Sequence, residues 1–500
     1  VDAAEAGKPL KGETPMRKMP HFRIPACVLI VLMIGLGLIS GCALTSSERL
    51  LEDVPPTPSS IYVPSSPMPK PISIPNKQDT SLGGRVFDLA QCIEIALERN
   101  PETRESWQRA RSVAAGVGQA RSSYLPSVDF TAGANRSDYV SLDSRQDAGP
   151  ANTFDAGFGV RYLLFDGGAR SADLKGAEAE LLGADFQHNA TLQDVALKVE
   201  EAYYRLLADI ELERVAEQTV RQTQYHVDVA RARHKNGLVA KSDVLKAKTE
   251  KANADLLSVQ ARSQVRITRG QLANAMGLKP SESFEVVGLP QNPHQQELAD
   301  IKHLMAESAA SRPELHSSLA RVESARANVK VGQSHYWPKL TLNTDYGWRD
   351  RNFVPDRDEW SIGLGITLPL FDGLNRESTV RKAKSDLAES VAAYKKLLRG
   401  VELEVWTAYS QLIEAGQAIK AARALVASAE ESAQVTEGEY KNGTASIIEV
   451  TDTQTARTTA NVRLVQTRLD WYTAMARLER AIGQTFVNEK NSIIKEEYNH

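Results

Sequence analysis

The sequence predicts a mainly α-helical chain that also carries a membrane β-barrel segment. It should build long antiparallel α-helical hairpins and four β-strands per chain, laid out as an internal two-fold sequence repeat. Three observations lead there. Two stretches, 169–236 and 375–442, run without a proline and are dominated by Ala, Leu, Val and Glu. Four stretches of nine or ten residues alternate strictly between apolar and polar. Landmarks of the first half recur in the second at a nearly constant spacing. The composition agrees: among 500 residues only 6% are aromatic, a balance that suits long packed helices better than a β-rich globule.

The repeat is read from matched landmarks. Pro101 matches Pro313, and Tyr124-Leu125-Pro126 matches Tyr336-Trp337-Pro338, both 212 residues apart. From Phe165-Asp166-Gly167 and Phe371-Asp372-Gly373 onward the spacing is 206 and stays there through Tyr203 and Tyr409, Lys235-Asn236-Gly237 and Lys441-Asn442-Gly443, and Met276 and Ile482. A single change of six residues marks one loop-length difference, and the register elsewhere marks a duplication. The two copies are expected at 87–290 and 300–485, with a polar tail at 486–500.

Each copy opens with a helix of about 25 residues ending near Tyr124 or Tyr336, where the proline two residues on disfavours continuation. The proline-free stretches read as helices ended by Asn-Gly, each about 100 Å long at 1.5 Å per residue. Return helices are expected over 241–277 and 447–483. Leu192, Val195, Val199, Ala202 and Leu206 follow the 3-4 spacing of a coiled-coil seam, and Ala196, Tyr203, Leu207 and Ile210 form a second stripe beside it. Two stripes let one helix pack on two neighbours, as in a closed cylinder. An antiparallel coiled-coil spacer would show the same helices.

The alternating stretches separate these readings. In 154–162, Phe154, Ala156, Phe158, Val160 and Tyr162 share one face; 128–137, 340–349 and 360–368 alternate in the same way. That is the length and dyad pattern of a transmembrane β-strand, and Tyr162, Tyr346, Trp348 and Trp360 stand toward strand ends, where aromatic girdles sit. Four strands cannot close on themselves, and an open edge cannot face lipid. Two copies would give eight strands with a filled interior; three would give twelve, the first count with room for a lumen.

The N-terminus gives the compartment. Arg17, Lys18 and Arg23 precede the apolar run Val28–Ile34, followed by Ile39-Ser40-Gly41-Cys42. A basic segment, an apolar segment and small residues ending at a cysteine read as a secretory signal with a bacterial lipobox, the Cys42 thiol being the acylated position. Residues 1–41 are then signal, with 1–15 before Met16 read as an overextended start, and Ala43 rather than Asp after the cysteine implies sorting to the outer membrane. Residues 42–86 form a lipidated, proline-rich linker of extended structure. Cys92 reads as a small buried apolar residue on an amphipathic helix.

Taken together, Leu-Pro-Leu-Phe-Asp-Gly at 368–373, Tyr-Leu-Leu-Phe-Asp-Gly at 162–167, Tyr-Leu-Pro at 124–126 and the two Asn-Gly turns resemble the TolC family of outer-membrane efflux proteins from about Phe87 to Gly483. The resemblance implies a homotrimer with a 12-stranded barrel in outer-membrane lipid and an α-helical tunnel through the periplasm. It implies a periplasmic adaptor and an inner-membrane pump as partners, in a tripartite efflux or secretion system. It also places adaptor-contacting tips at Gly237, Leu238, Gly443 and Thr444, and a periplasmic gate at Glu449 and Asp452 with Tyr440 nearby. Glu449 and Asp452, three apart, share a helix face, and three copies would ring one opening with six carboxylates. The alternative is a structural lipoprotein that spans the periplasm without transporting anything.

Other classes find no support. There is no nucleophile-elbow motif, no His-Glu-x-x-His and no P-loop, so neither an enzyme nor a cofactor is expected. A net charge of −3 offers no basic footprint for nucleic acid. His226 and His234, eight apart on a helix, read as surface residues rather than metal ligands.

Overall fold

The computed structural model describes residues 84–138, 150–288 and 300–484. Cys42, the signal segment, the linker up to residue 83 and the tail beyond 484 lie outside them. The order is β1 (Val86–Phe87), α1 (Leu89–Arg99), α2 (Pro101–Ser122), β2 (Ser127–Ser137), β3 (Ala151–Phe165), α3 (Ala169–Lys235) and α4 (Lys241–Ala275). Then come β4 (Glu285–Val286), α5 (Ile301–Ser311), α6 (Pro313–Ser334), β5 (Lys339–Asp350), β6 (Asp358–Thr367), α7 (Asn375–Asn442) and α8 (Ile447–Ile482). The long helices, the return helices and the four strands therefore stand where the periodicity puts them. Two features depart from expectation. The opening helix of each copy is preceded by a shorter one, broken at Asn100 or Arg312 just before a proline. The two-residue strands β1 and β4 pair in parallel and tie the ends of the first copy together.

Thirteen residues separate β2 from β3 and seven separate β5 from β6, so the change of six in repeat spacing falls in these hairpin connections. The four longer strands form one antiparallel sheet in the order β2-β3-β5-β6. Register aligns Phe130, Phe158, Tyr346 and Trp360 across it on one face, and Asp129, Gly159, Asp345 and Ser361 on the other. Gly157 and Gly347 oppose each other on the polar face so closely that a Cβ on either would come within 3.0 Å of the other's Cα. No side chain fits there, so β3 and β5 close up on that side and the sheet curls toward its polar face. The resulting trough, about 660 Å³, is lined by Asp129, Asp155, Arg161, Asp345 and Glu359. The apolar face points outward, with Ile362, Leu364 and Ile366 exposed. Among the described residues no helix is long and apolar enough to cross a membrane.

Strand joins helix by the same device in both copies. The Asp166 carboxylate accepts from the Arg170 backbone N–H at 2.8 Å and from Arg170 Nε at 3.1 Å, capping α3 while pairing with its first turn. The Arg170 guanidinium lies 5.0 Å over the Tyr124 ring and donates to Leu164 O and Ser123 O. Asp372, Arg376 and Tyr336 repeat this, with Arg376 Nε donating to Asp372 at 2.9 Å and lying 5.2 Å over the ring. The Tyr-x-Pro and Phe-Asp-Gly landmarks are thus two halves of one joint. In the first copy Gly168 takes the left-handed conformation before the helix; in the second Leu374 does, at φ 67°.

The cores are duplicated too. Val199, Leu206, Leu272 and Met276 pack with Cys92 and Ile93 of α1, and Val405, Leu412, Leu478 and Ile482 pack with Leu304 of α5. Cys92 is fully buried, as expected, and its place is taken by Leu304 in the second copy. The copies differ where α2 and α6 begin. Asn100 caps α2 and donates to Ala275 O at 2.9 Å. Its counterpart Arg312 is buried, donates to Arg480 O and Ala481 O at 3.2 Å, and pairs with Glu314 and Glu404. Arg480, buried beside it, pairs with Glu314 and with Asp194 of α3, locking the C-terminal end of α8 to α3 and α6.

Two stability outcomes follow from these joints. Leu374→Gly should be neutral or raise stability by up to about 1 kcal/mol in thermal unfolding, because glycine carries no penalty for that backbone conformation. Arg480→Met should cost about 1.5–3 kcal/mol, since Asp194 loses its partner and Glu314 keeps only Arg312; an unchanged unfolding midpoint would show that Arg480 is not the clamp.

Candidate functional site

The sites anticipated from sequence gather at the far end of the hairpins α3–α4 and α7–α8. Backbone geometry fixes each turn. At the end of α3 the Leu238 N–H donates to Arg233 O at 2.9 Å and the Gly237 N–H to His234 O at 3.0 Å. At the end of α7 the Thr444 N–H donates to Glu439 O at 3.0 Å and the Gly443 N–H to Tyr440 O at 3.1 Å. Both glycines take the positive φ that closes such a turn, 72° and 88°. Leu238 and Thr444 are left exposed at the tips.

The second turn leads directly into α8. Ser446 caps it, and its side chain accepts from the Glu449 N–H while the Glu449 carboxylate accepts from the Ser446 N–H at 3.1 Å. Glu449 thus has a local structural task as well as an exposed carboxylate. Asp452 is exposed one turn further on, beside Lys246 and Glu250 of α4 in the groove between the two return helices. The two carboxylates share the solvent side of α8, while Ile447 and Val450 turn inward.

Tyr440 is elsewhere. It is 2% exposed and packs with Ile447, Val450 and Val229 between the helices. The Arg233 guanidinium lies 4.7 Å over its ring and donates to Tyr440 O, joining α3 to α7 just above both turns. The Tyr440 hydroxyl is buried without a partner. Burial pushes this phenol above its ordinary value, Arg233 pulls it down, and Asp243 adds to the rise. Tyr440 therefore meets α8 through Ile447 and Val450 of its inward face and does not share a surface with the acidic residues.

Sequence reasoning missed Arg233. Its only signal was membership of a basic last turn, Arg233-His234-Lys235, which any helix C-terminus attracts. The reading of His226 is corrected: it is 7% exposed, buried among α3, α4 and α8 with Nε2 unpartnered, whereas His234 is exposed as expected. The 3.6-residue period that places His226 inward is blurred because α3 packs on more than one neighbour. Among the described residues no three His, Cys, Asp or Glu side chains come together as metal ligands would.

Known proteins place this architecture. The model of the family described as outer membrane efflux protein matches twice, over residues 92–278 and 304–484. The protein CyaE of Bordetella pertussis is 28% identical over 339 residues, covering 66% of this chain and 70% of that protein. The outer membrane protein TolC of Vibrio cholerae is 24% identical over 415 residues, covering 79% and 90%. The crystal structure of the outer membrane protein VceC, also from Vibrio cholerae, superposes with a TM-score of 0.70 at 21% identity over 80% of this chain and 96% of that one, a likeness of fold. With both copies of its repeat matched, the chain belongs to the outer membrane efflux protein family, whose members are outer-membrane channels extending into the periplasm.

Proposed function

We propose that three copies of this chain form a passive export duct, docked at its periplasmic end to an adaptor protein and an inner-membrane pump, and gated by the carboxylates of α8. The observation that carries the reading is the sheet: a curled, two-faced set of four strands with β2 and β6 left as open edges. An edge at membrane depth requires a partner strand, and β6 of one copy can pair with β2 of the next. The helices offer the matching contact. On α4, Leu245, Thr249, Ala252, Leu256 and Val259 are exposed at 4-3-4-3 spacing, and on α7, Leu403, Trp406, Ser410 and Ile413 are exposed at 3-4-3 spacing. Two different seams on one protomer favour a head-to-tail ring over a two-fold dimer.

The tips Gly237, Leu238, Gly443 and Thr444 are the surfaces offered to the adaptor, and Glu449 and Asp452, positioned through Tyr440 and its packed helix face, are the gate. The chain is read as two repeats, 87–290 and 300–485, tethered through an acylated Cys42 and a linker over 42–86, with a tail at 486–500. It carries no catalytic role in this reading, and the duct takes its substrate from the pump. A brace without transport would have no use for a lipid-facing sheet.

Two measurements test this. Leu364→Arg, on the outward face, should cost about 2–4 kcal/mol per chain near the bilayer midplane and sharply lower trimer yield. Thr367→Arg, on the lumen face, should leave assembly intact; equal losses would show the assignment of faces to be wrong. At the gate, Glu449→Gln with Asp452→Asn should weaken block of single-channel current by multivalent cations added on the periplasmic side and lower cation preference. Gln keeps the capping interaction that Glu449 makes, so the helix start survives. An unchanged blocking concentration and reversal potential would place the constriction elsewhere.

A further inference from the structure

Between α3, α4 and α8, part-way up from the tip, lies a cavity of about 190 Å³. Threonines line much of it, and the Thr219 and Thr458 hydroxyls meet across it at 3.4 Å. Two lining side chains, both more than nine-tenths buried, carry polar atoms with no partner: His226 Nε2 and Gln454 Oε1. A void of this size and polarity holds several waters, which can satisfy both atoms.

The cavity interrupts an otherwise tied seam. Nearer the sheet, α8 is held to α3 by Arg480 on Asp194, by Arg477 on Glu201 at 2.7 Å and by stacked Tyr204 and Tyr472 rings 4.8 Å apart. Nearer the tip, Arg233 of α3 holds Tyr440 of α7, which packs on Ile447 and Val450 of α8. In between, hydroxyls and amides face one another around the void.

We propose that this cavity is a hydrated proton-binding site: a proton taken up by His226 parts α8 from α3, so that acid in the periplasm loosens the closed tip. The inference rests on the channel reading above. The proton comes from solvent and adds to the unprotonated ring nitrogen, turning the ring into a double donor with a charge that the closed cavity must bury.

The groups facing His226 are Tyr225 on its own helix, Glu250 of α4 in the cavity wall, Glu437 and Lys441 of α7, and Arg457 of α8. Burial holds the imidazole below its ordinary value; Glu437 opposes this, while Arg457 and Lys441 add to it. A parted seam returns the ring to water and to a pKa near 6.5. Above that pH neither state carries the proton, and the closed seam has its full stability. As pH falls through it, only the parted state takes the proton, and the closed seam loses stability. Glu200, nearer the sheet on the same seam, is pushed up to about 8 by burial and by Glu479 and Glu201, and so stays protonated below neutrality.

The test is the open fraction of full-length trimers in a planar bilayer as the periplasmic side is taken from about pH 7 to about pH 5.5. Wild type should open several-fold more at the acid end, His226→Gln should not respond, and His234→Gln should respond as wild type does. Thr219→Cys with Thr458→Cys, in a chain also carrying Cys92→Ser, should lose the response when oxidised and regain it on reduction. Should His226→Gln fail to assemble, the cross-linked pair decides by itself. A conducting channel with no acid response, or one whose response survives His226→Gln or the cross-link, overturns the proposal. A chain that conducts at no pH overturns the channel reading instead.

Discussion

A β-strand edge cannot be left unpaired in hydrocarbon, and each chain brings a sheet with two such edges. The rest of the molecule answers that constraint. Gly157 and Gly347 permit the curl, which in the proposed trimer would carry β6 toward the β2 of a neighbour. The outward row of Phe130, Phe158, Tyr346 and Trp360 meets lipid, and the inward row keeps its carboxylates and glycines for water. The Asp166–Arg170 and Asp372–Arg376 joints then turn the chain from strand into helix at the membrane boundary, so that a ring closed by strands continues as a ring of helices.

Much of this was legible in the sequence because it is periodic. Dyad alternation gave the strands and their faces, and the constant spacing between copies gave the order of elements and even the length difference between hairpin connections. Asn-Gly marked the helix ends because a positive φ is needed there, and the structure supplies it at Gly237 and Gly443.

What escaped is pairwise and long-range. Arg170 stands four residues after Asp166 in plain view, and Arg376 repeats it, yet neither spacing reveals that the guanidinium will lie over a tyrosine from the preceding helix. Arg312 and Arg480 look like ordinary surface cations until Glu404 is brought to the first, and Asp194 and Glu314 to the second, from distant places in the chain. Arg233 and Tyr440 meet across 207 residues. His226 went wrong for a related reason: a helix that packs on several sides has little polar face left, so a histidine's place on the helical wheel says little about its exposure.

The duplication has a consequence for whatever meets the far end of the tunnel. In the proposed trimer, three chains with two hairpins each would surround the axis with six tips. They are not six equal tips. One kind ends in Gly237 and an exposed Leu238 and leads into a helix with no side-chain cap at Ala240; the other ends in Gly443 and Thr444 and leads into the Ser446–Glu449 cap. A six-membered collar built from identical subunits would find an oily contact and a hydroxyl contact in alternation. Its members would have to tolerate both, or settle into two alternating postures.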